Sequence, residues 1–182
     1  PLPRALAKSV SKREKKVMGV ILAAGNSTRM GEDNKLLRNI GDAPLIRNTA
    51  IEMLKSDLDT CSIVLGYQSD KVADVIKDLN INLILNPLWK EGQASSLRAA
   101  INTLDSTYSD LLIMLGDLPG IKSSHINSII EEHLLTDNRK SKITIPSFKG
   151  QKGNPIIWGR SFFHDLSNLE GDVGGRVLFG QH

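Results

Sequence analysis

Gly25, Ser27, Thr28, Arg29, Gly31 and Lys35 follow directly on the apolar run Val17–Ala23. Glycine admits positive φ and lets the backbone approach a ligand closely, freeing N–H groups to point at phosphate oxygens. Arg29 can fork onto a phosphate, and Lys35 supplies a compact point charge. Together these residues make a loop for a polyanion. It is neither a P-loop, which needs GK[ST] after its spacer, nor the GxGxxG dinucleotide fingerprint. Asp117, in LLIMLGDLPG, is the second chemical position. It ends an apolar strand, where a carboxylate either holds a metal ion that bridges phosphate oxygens or opens the turn before Pro119. Asn86, Gly92, Gln93, Ser95 and Ser96 lie between a short strand and a helix. A helix start offers N–H donors to anions or polar base edges, and serines there can equally serve as caps.

No Ser-His-Asp or Cys-His grouping stands out. His125, His133 and His164 lack metal-ligand spacing and read as surface residues on helices. Cys61, in CSIVLGY, reads as a buried structural thiol. Trp89 and Trp158 read as packing residues rather than stacking platforms.

These positions need strands and helices to bring them together. Candidate strands cover Val17–Ala23, Ser62–Gly66, Asn82–Leu85, Leu111–Leu115, Ile143–Pro146 and Pro155–Trp158. Helical spacing covers Pro44–Lys55, Asp70–Leu79, Gln93–Leu104 and Ser123–Leu135, with short helices over Ser161–Asn168 and Val173–Phe179. Strands apolar throughout and separated by helices point to a mostly parallel sheet covered on both faces, an α/β fold. Ligands in such sheets sit beyond the carboxyl ends of the strands, where Ala23–Gly25 and Asp117 fall.

The 182 residues suit one such domain, and 40% hydrophobic with 24% charged residues is ordinary for a globular chain. No run reaches the ~18 apolar residues that span a bilayer, and the basic, broken start is unlike a signal peptide. With one cysteine besides, the expected compartment is cytoplasmic. The net charge of +3 owes much to Lys8, Lys12, Arg13, Lys15 and Lys16. Residues 1–16 read as a solvated linker or tail. The near-neutral remainder argues against a nucleic-acid partner.

The stretch GVILAAGNSTRMGEDNKLL resembles the LAAGxSxRMGxxxKLL signature of the MobA-like nucleotidyltransferases, especially their molybdenum-cofactor cytidylyltransferase (MocA-like) branch. NPLWKEGQASSLRAAI is similar to that branch's NPxxxxGxxxSLRAGI segment, and LGDLPGI to its GDMP motif. KGNPIIWGRSFF and LEGDVGGRVLF resemble its GNP/GHP strand and GDxGAR segment. The likeness runs from about Val17 to Phe179 and implies a three-layer α/β/α sandwich whose Rossmann-like sheet is of the nucleotide-diphospho-sugar transferase type.

The resemblance implies that Ala23, Ala24 and Gly25 face the base of CTP and that Arg29 and Lys35 hold its triphosphate. Asn86, Gly92, Ser95 and Ser96, with Tyr67 as a further candidate, would contact the nucleotide. Asp117 would hold Mg²⁺ (or Mn²⁺), completing a catalytic set with Arg29 and Lys35. Gly153, Asn154 and Pro155 stand where the family often has Gly-His-Pro and would face a molybdopterin-type acceptor. Asn154 cannot shuttle protons near neutral pH as histidine can. Asp172 and Arg176 would position the acceptor, or form a structural pair. The expected reaction transfers CMP to the acceptor's phosphate and releases pyrophosphate. Alternatives are guanylyl transfer to the same cofactor, nucleotidyl transfer to a sugar or alcohol phosphate, and a non-catalytic binding module. Family members usually continue to a DIDTPxD-like segment, so domain 17–182 reads as truncated. The basic start would suit a join to an upstream molybdopterin-binding domain, and a molybdoenzyme is a possible partner.

Overall fold

The structure, a computed structural model, describes residues 16–26 and 34–180. Its frame is a six-stranded sheet built from β1 (Lys16–Ala23), β4 (Thr60–Leu65), β5 (Asn82–Leu85), β6 (Tyr108–Leu115), β7 (Ile143–Thr144) and β10 (Ile156–Gly159). The spatial order is β5-β4-β1-β6-β10-β7. Pairing is parallel from β5 through β6, and β10 runs antiparallel to both β6 and β7. Two small hairpins lie apart from it: β2 (Asn39–Ile40) with β3 (Ala43–Pro44), and β8 (Ser147–Phe148) with β9 (Gln151–Lys152).

The period of two along each strand divides the core into two layers. Val17, Ile21 and Ala23 of β1 face one way, with Leu112 and Met114 of β6. They meet Ile46, Ala50 and Met53 of α1 (Leu45–Leu54), Val72 of α2 (Ser69–Asp74), and Ile126 and Ile130 of α4 (Ser123–Leu135). Met18, Val20 and Leu22 face the opposite way. They pack with Leu97 and Ala100 of α3 (Gln93–Ile101) and with Leu166 of α5 (Phe163–Ser167). Burying each large aliphatic side chain contributes on the order of 1.5–3 kcal/mol, so both faces hold the sheet. Gly19 makes room within the first layer: a Cβ there would lie 2.4 Å from Leu58 Cδ1. The three-layer α/β/α architecture is as expected.

Several details differ from the sequence reading: the helix from Gln93 ends at Ile101 rather than Leu104, and the strand from Ile143 at Thr144 rather than Pro146. The second helix ends at Asp74 rather than continuing to Leu79, because Arg47 takes the Val75 carbonyl at 2.9 Å and forks onto Asp78. Leu79 N–H then bonds Ile76 O, and the chain continues as turns. The segment at Val173–Phe179 is a 3₁₀ helix over Gly175–Gly180. His133 is not a surface residue but fully buried. Its Nε2 lies 3.0 Å from Asp110 Oδ1 and its Nδ1 2.7 Å from Thr144 Oγ1. Ser109 Oγ and Arg139 Nε donate to the other Asp110 oxygen, at 2.6 and 2.9 Å. This network ties α4 and the 3₁₀ turn Arg139–Ser141 to the amino end of β6, away from the carboxyl ends of the parallel strands.

Candidate active site

A cavity of about 720 Å³ opens where β1 and β6 end, a volume typical of small-ligand sites. Ala23, Ala24 and Gly25 form its floor, and Lys35 and Asp117 one wall. Lys35 opens a 3₁₀ turn, Lys35–Leu37, seated by two buried neighbours. Asn34 accepts Leu36 N–H on its side chain at 3.0 Å, and Leu36 plugs into the core. Gly116 carries Asp117 past the end of β6, its N–H bonded to Leu22 O at 3.0 Å. These two anchors bring the Lys35 ammonium onto Asp117 Oδ2 in a close ion pair. Both side chains stay partly open to solvent, so the pair is accessible to a ligand.

The start of α3 forms the facing wall. Gly92, at φ +100°, stands before the helix, and its Cβ would lie 2.5 Å from backbone atoms of Gly171 and Asp172. A side chain there is excluded by space and by conformation. Gly171 O accepts Ala94 N–H at 3.2 Å, and Asp172 Oδ1 accepts Gln93 N–H at 3.3 Å. Beneath, the buried Asn86 amide donates to Ser95 Oγ at 2.9 Å and Ser96 Oγ at 3.1 Å. Ser95 Oγ donates in turn to Gly92 O at 2.8 Å. Asn86 and Ser95 are thus pins that fix the helix start, while Ser96 and Gln93 line the cavity.

Trp89 joins these two walls. It lies in a 3₁₀ turn, Trp89–Glu91, its Cβ against Gly66, and it lines the cavity with Lys90 and Glu91. The Tyr67 ring is 5.4 Å from it, tilted by 56°, and Lys90 Nζ is 5.5 Å from its ring centroid.

The model of the MobA-like NTP transferase domain matches residues 19–182 of the chain. The chain belongs to the MobA-like NTP transferase family. This MobA-like chain is 26% identical over 151 residues to the bifunctional protein GlmU of Prochlorococcus marinus (strain MIT 9211), covering 82% of the chain. It spans only about a third of that protein, 32% of its length. It is 25% identical to a nicotine blue oxidoreductase of Paenarthrobacter nicotinovorans, over 91% of the chain and 82% of that protein. Among solved structures, a mycobacterial homolog of Rv0371c, from strain JC1, superposes with a TM-score of 0.77 at 30% identity, covering 90% of this chain and 80% of that one. Rv0371c of Mycobacterium tuberculosis H37Rv in complex with manganese superposes at 0.73, with 22% identity and 92% and 83% coverage.

In this MobA-like domain Ala23, Ala24, Gly25, Lys35, Gly92, Ser96, Asp117 and Asp172 line one cavity. Tyr67 stands behind Trp89, its N–H bonded to Ala24 O at 3.0 Å. Arg29 falls outside the described residues, as do Ser27, Thr28, Gly31 and the basic segment up to Lys15; Lys16 is the first residue of β1. Gly153, Asn154, Pro155 and Arg176 sit at the same end of the sheet but do not line the cavity. Arg176 donates to Lys152 O and Gly153 O, both at 3.3 Å, and Asp172 takes Gln93 instead, so the two form no structural pair.

Sequence reasoning did not assign Trp89, Lys90 and Glu91 to the site. The available signal was their place directly before Gly92, in a loop at a strand's carboxyl end. Trp158 differs: it is buried against Phe162 and Phe179 in the core. Cys61 is half-buried, and burial pushes its thiol up to about 11, the behaviour of a structural thiol. No described helix is long and apolar enough to cross a membrane.

Proposed function

We propose that the chain is a divalent-cation-dependent cytidylyltransferase that transfers CMP from CTP to the phosphate of a molybdopterin-type cofactor. The observation that carries this reading is the Lys35–Asp117 pair, set at the mouth of a cavity floored by the glycine-bearing end of β1. An oxygen of the acceptor phosphate attacks the α-phosphorus of CTP. The bond from that phosphorus to the bridging oxygen breaks, and pyrophosphate leaves with the electron pair. Such transfers depend on positioning and charge neutralisation, without a protein nucleophile. Lys35 supplies positive charge beside the departing group, and the α3 start fixes the far side of the nucleotide.

Asp117 would hold the cation. Magnesium or manganese commonly takes one or two protein carboxylates and completes its shell with phosphates and water. Asp117 fits such a substrate-completed site, being partly exposed at a strand end beside the cavity. Among the described residues no group of three or more His, Cys, Asp or Glu forms a closed metal cage. When bound, the cation supplies Lewis-acid neutralisation of the pyrophosphate charge. The manganese complex of the mycobacterial neighbour supports a divalent cation in this fold.

LAAG, rather than the glycine-rich LAGG of the guanylyl branch, favours cytosine. The likeness to GlmU favours a second reading with the same chemistry, in which a sugar phosphate is the acceptor. Calorimetry with CTP, GTP and ATP in the presence of Mg²⁺, followed by pyrophosphate release with each acceptor, tests these readings. CTP preference with turnover on the molybdopterin-type cofactor is the expected result. GTP preference, turnover only on a sugar phosphate, or tight binding without turnover would each replace it.

A further inference from the structure

The cavity has a direction. Lys35 and Asp117 stand on the β6 side of β1, and the aromatic surface of Trp89 on the β4 side, with Lys90 and Glu91 beside it. The indole is held from several directions. Gly66 has no side chain; a Cβ there would lie 2.6 Å from Trp89 Cβ and 2.8 Å from Ala24 Cβ. The root of Trp89 therefore sits on Gly66, directly past the end of β4, with Ala24 beside it. Tyr67 braces the ring at 5.4 Å, and Lys90 brings its ammonium to 5.5 Å from the centroid. A tryptophan left half-buried beside a cavity, its neighbours already in place, has little conformational freedom to lose when a ring stacks on it. Trp158 supplies the contrast, since it is spent wholly on the core.

We infer that Trp89 is the stacking platform for the flat heteroaromatic ring of the nucleotide, and that it sets the nucleotide's direction in the cavity. The base lies toward Trp89 and the triphosphate toward Lys35 and Asp117. β4 and β6 flank β1, so the two sides stand two interstrand spacings apart, about 10 Å. That is the reach of a nucleotide from its base through the ribose to its phosphates. Stacking accepts any base, so Trp89 gives affinity and orientation and leaves base choice to the polar groups of the α3 wall. The inference rests on the nucleotide reading above. The ring of a molybdopterin-type acceptor is the other flat group that could stack here, and the test separates the two.

The test is calorimetry on the full chain with Mg²⁺, comparing CTP, ATP and inorganic tripolyphosphate in the wild type, Trp89→Phe and Trp89→Leu. We expect Trp89→Leu to weaken both nucleotides by about tenfold or more, from loss of one base–aromatic stack. Trp89→Phe should keep most of the affinity, and tripolyphosphate should bind all three proteins alike. Equal CTP affinity in wild type and Trp89→Leu overturns the inference while leaving the CTP reading intact. Equal loss of tripolyphosphate also overturns it, since Trp89 would then only shape the wall. Unchanged nucleotide affinity with a raised KM for the acceptor would assign the platform to the acceptor, again overturning it. If a purine nucleotide binds best and is still weakened in Trp89→Leu, the inference stands and the CTP reading falls.

Discussion

Lys35 and Asp117 stand 82 residues apart in sequence and meet as an ion pair at the carboxyl ends of two neighbouring strands. Neither owes its position to the other. Lys35 is set by the buried Leu36 and the Asn34 cap, and Asp117 by the β6 strand that precedes it. The pair is therefore an outcome of the frame, and its loss should be felt in chemistry before stability.

Asp117→Asn should lower pyrophosphate release by about 10²–10³-fold, the scale for removing a group that stabilises developing charge. The pair is too exposed to contribute more than about 1 kcal/mol to stability. Thermal melting near the wild-type temperature beside a collapsed rate is the expected result. A large fall in melting temperature would make the pair structural.

Asp110→Asn should do the reverse. Burial alone would raise this carboxyl, but hydrogen bonds from His133, Ser109 and Arg139 outweigh it and hold the group below the usual carboxylate range. The folded form thus favours the ionised group. That stability is present above the unfolded value of about 3.9 and is lost as pH falls through the lower folded value. Removing one partner of a buried charged network costs about 3 kcal/mol. Urea unfolding should show that loss at neutral pH, with the gap between variant and wild type narrowing below about pH 4. A gap constant with pH would mean the charge is not what matters.

Gly66→Ala tests the seat of Trp89. The added methyl would come within 2.8 Å of Ala24 as well as against Trp89 Cβ, so one wall must move. Overpacking of this kind costs about 1–3 kcal/mol. Nucleotide affinity should fall with it while tripolyphosphate affinity persists. An unaltered calorimetric profile would show that the wall yields freely.

Cys61 should be slow to react. With the thiol pushed up to about 11, its thiolate fraction at pH 8 is roughly a hundredfold below that of an ordinary cysteine. Alkylation by iodoacetamide, followed by mass spectrometry, should lag a free-thiol standard by that factor in the native chain and match it in denaturant.

The sequence was informative where local pattern and tertiary role coincide. β5 at Asn82–Leu85 and α4 at Ser123–Leu135 have the expected bounds, because an apolar strand and a long amphipathic helix carry their own periodicity. The loop positions Ala23–Gly25 and Lys35 were legible because small and basic residues after a buried strand have little structural reason to cluster. Legibility ended where distant groups decide. Asp74 ends α2 because Arg47, from another helix, takes a carbonyl the helix would have used. His133 is buried because Asp110 and Thr144 satisfy both of its nitrogens, and neither lies near it in sequence. Trp89 read as packing because nothing local distinguishes an indole against Gly66 at a cavity wall from one in a core, such as Trp158.

The central position of β1 also governs when the cavity comes into being. Among the described strands β1 precedes both of the strands that flank it, and Lys16 must wait for Tyr108 before its second neighbour can pair with it. Such long-range closure is slow compared with helix formation. No binding wall is complete on a nascent chain until residue 117 has emerged. A nucleotide therefore recognises the finished sheet alone, and at 100 times its Kd it would add about 2.7 kcal/mol to the whole domain. Substrate would thus act as the last folding partner of the chain, drawing late-closing molecules into the native population.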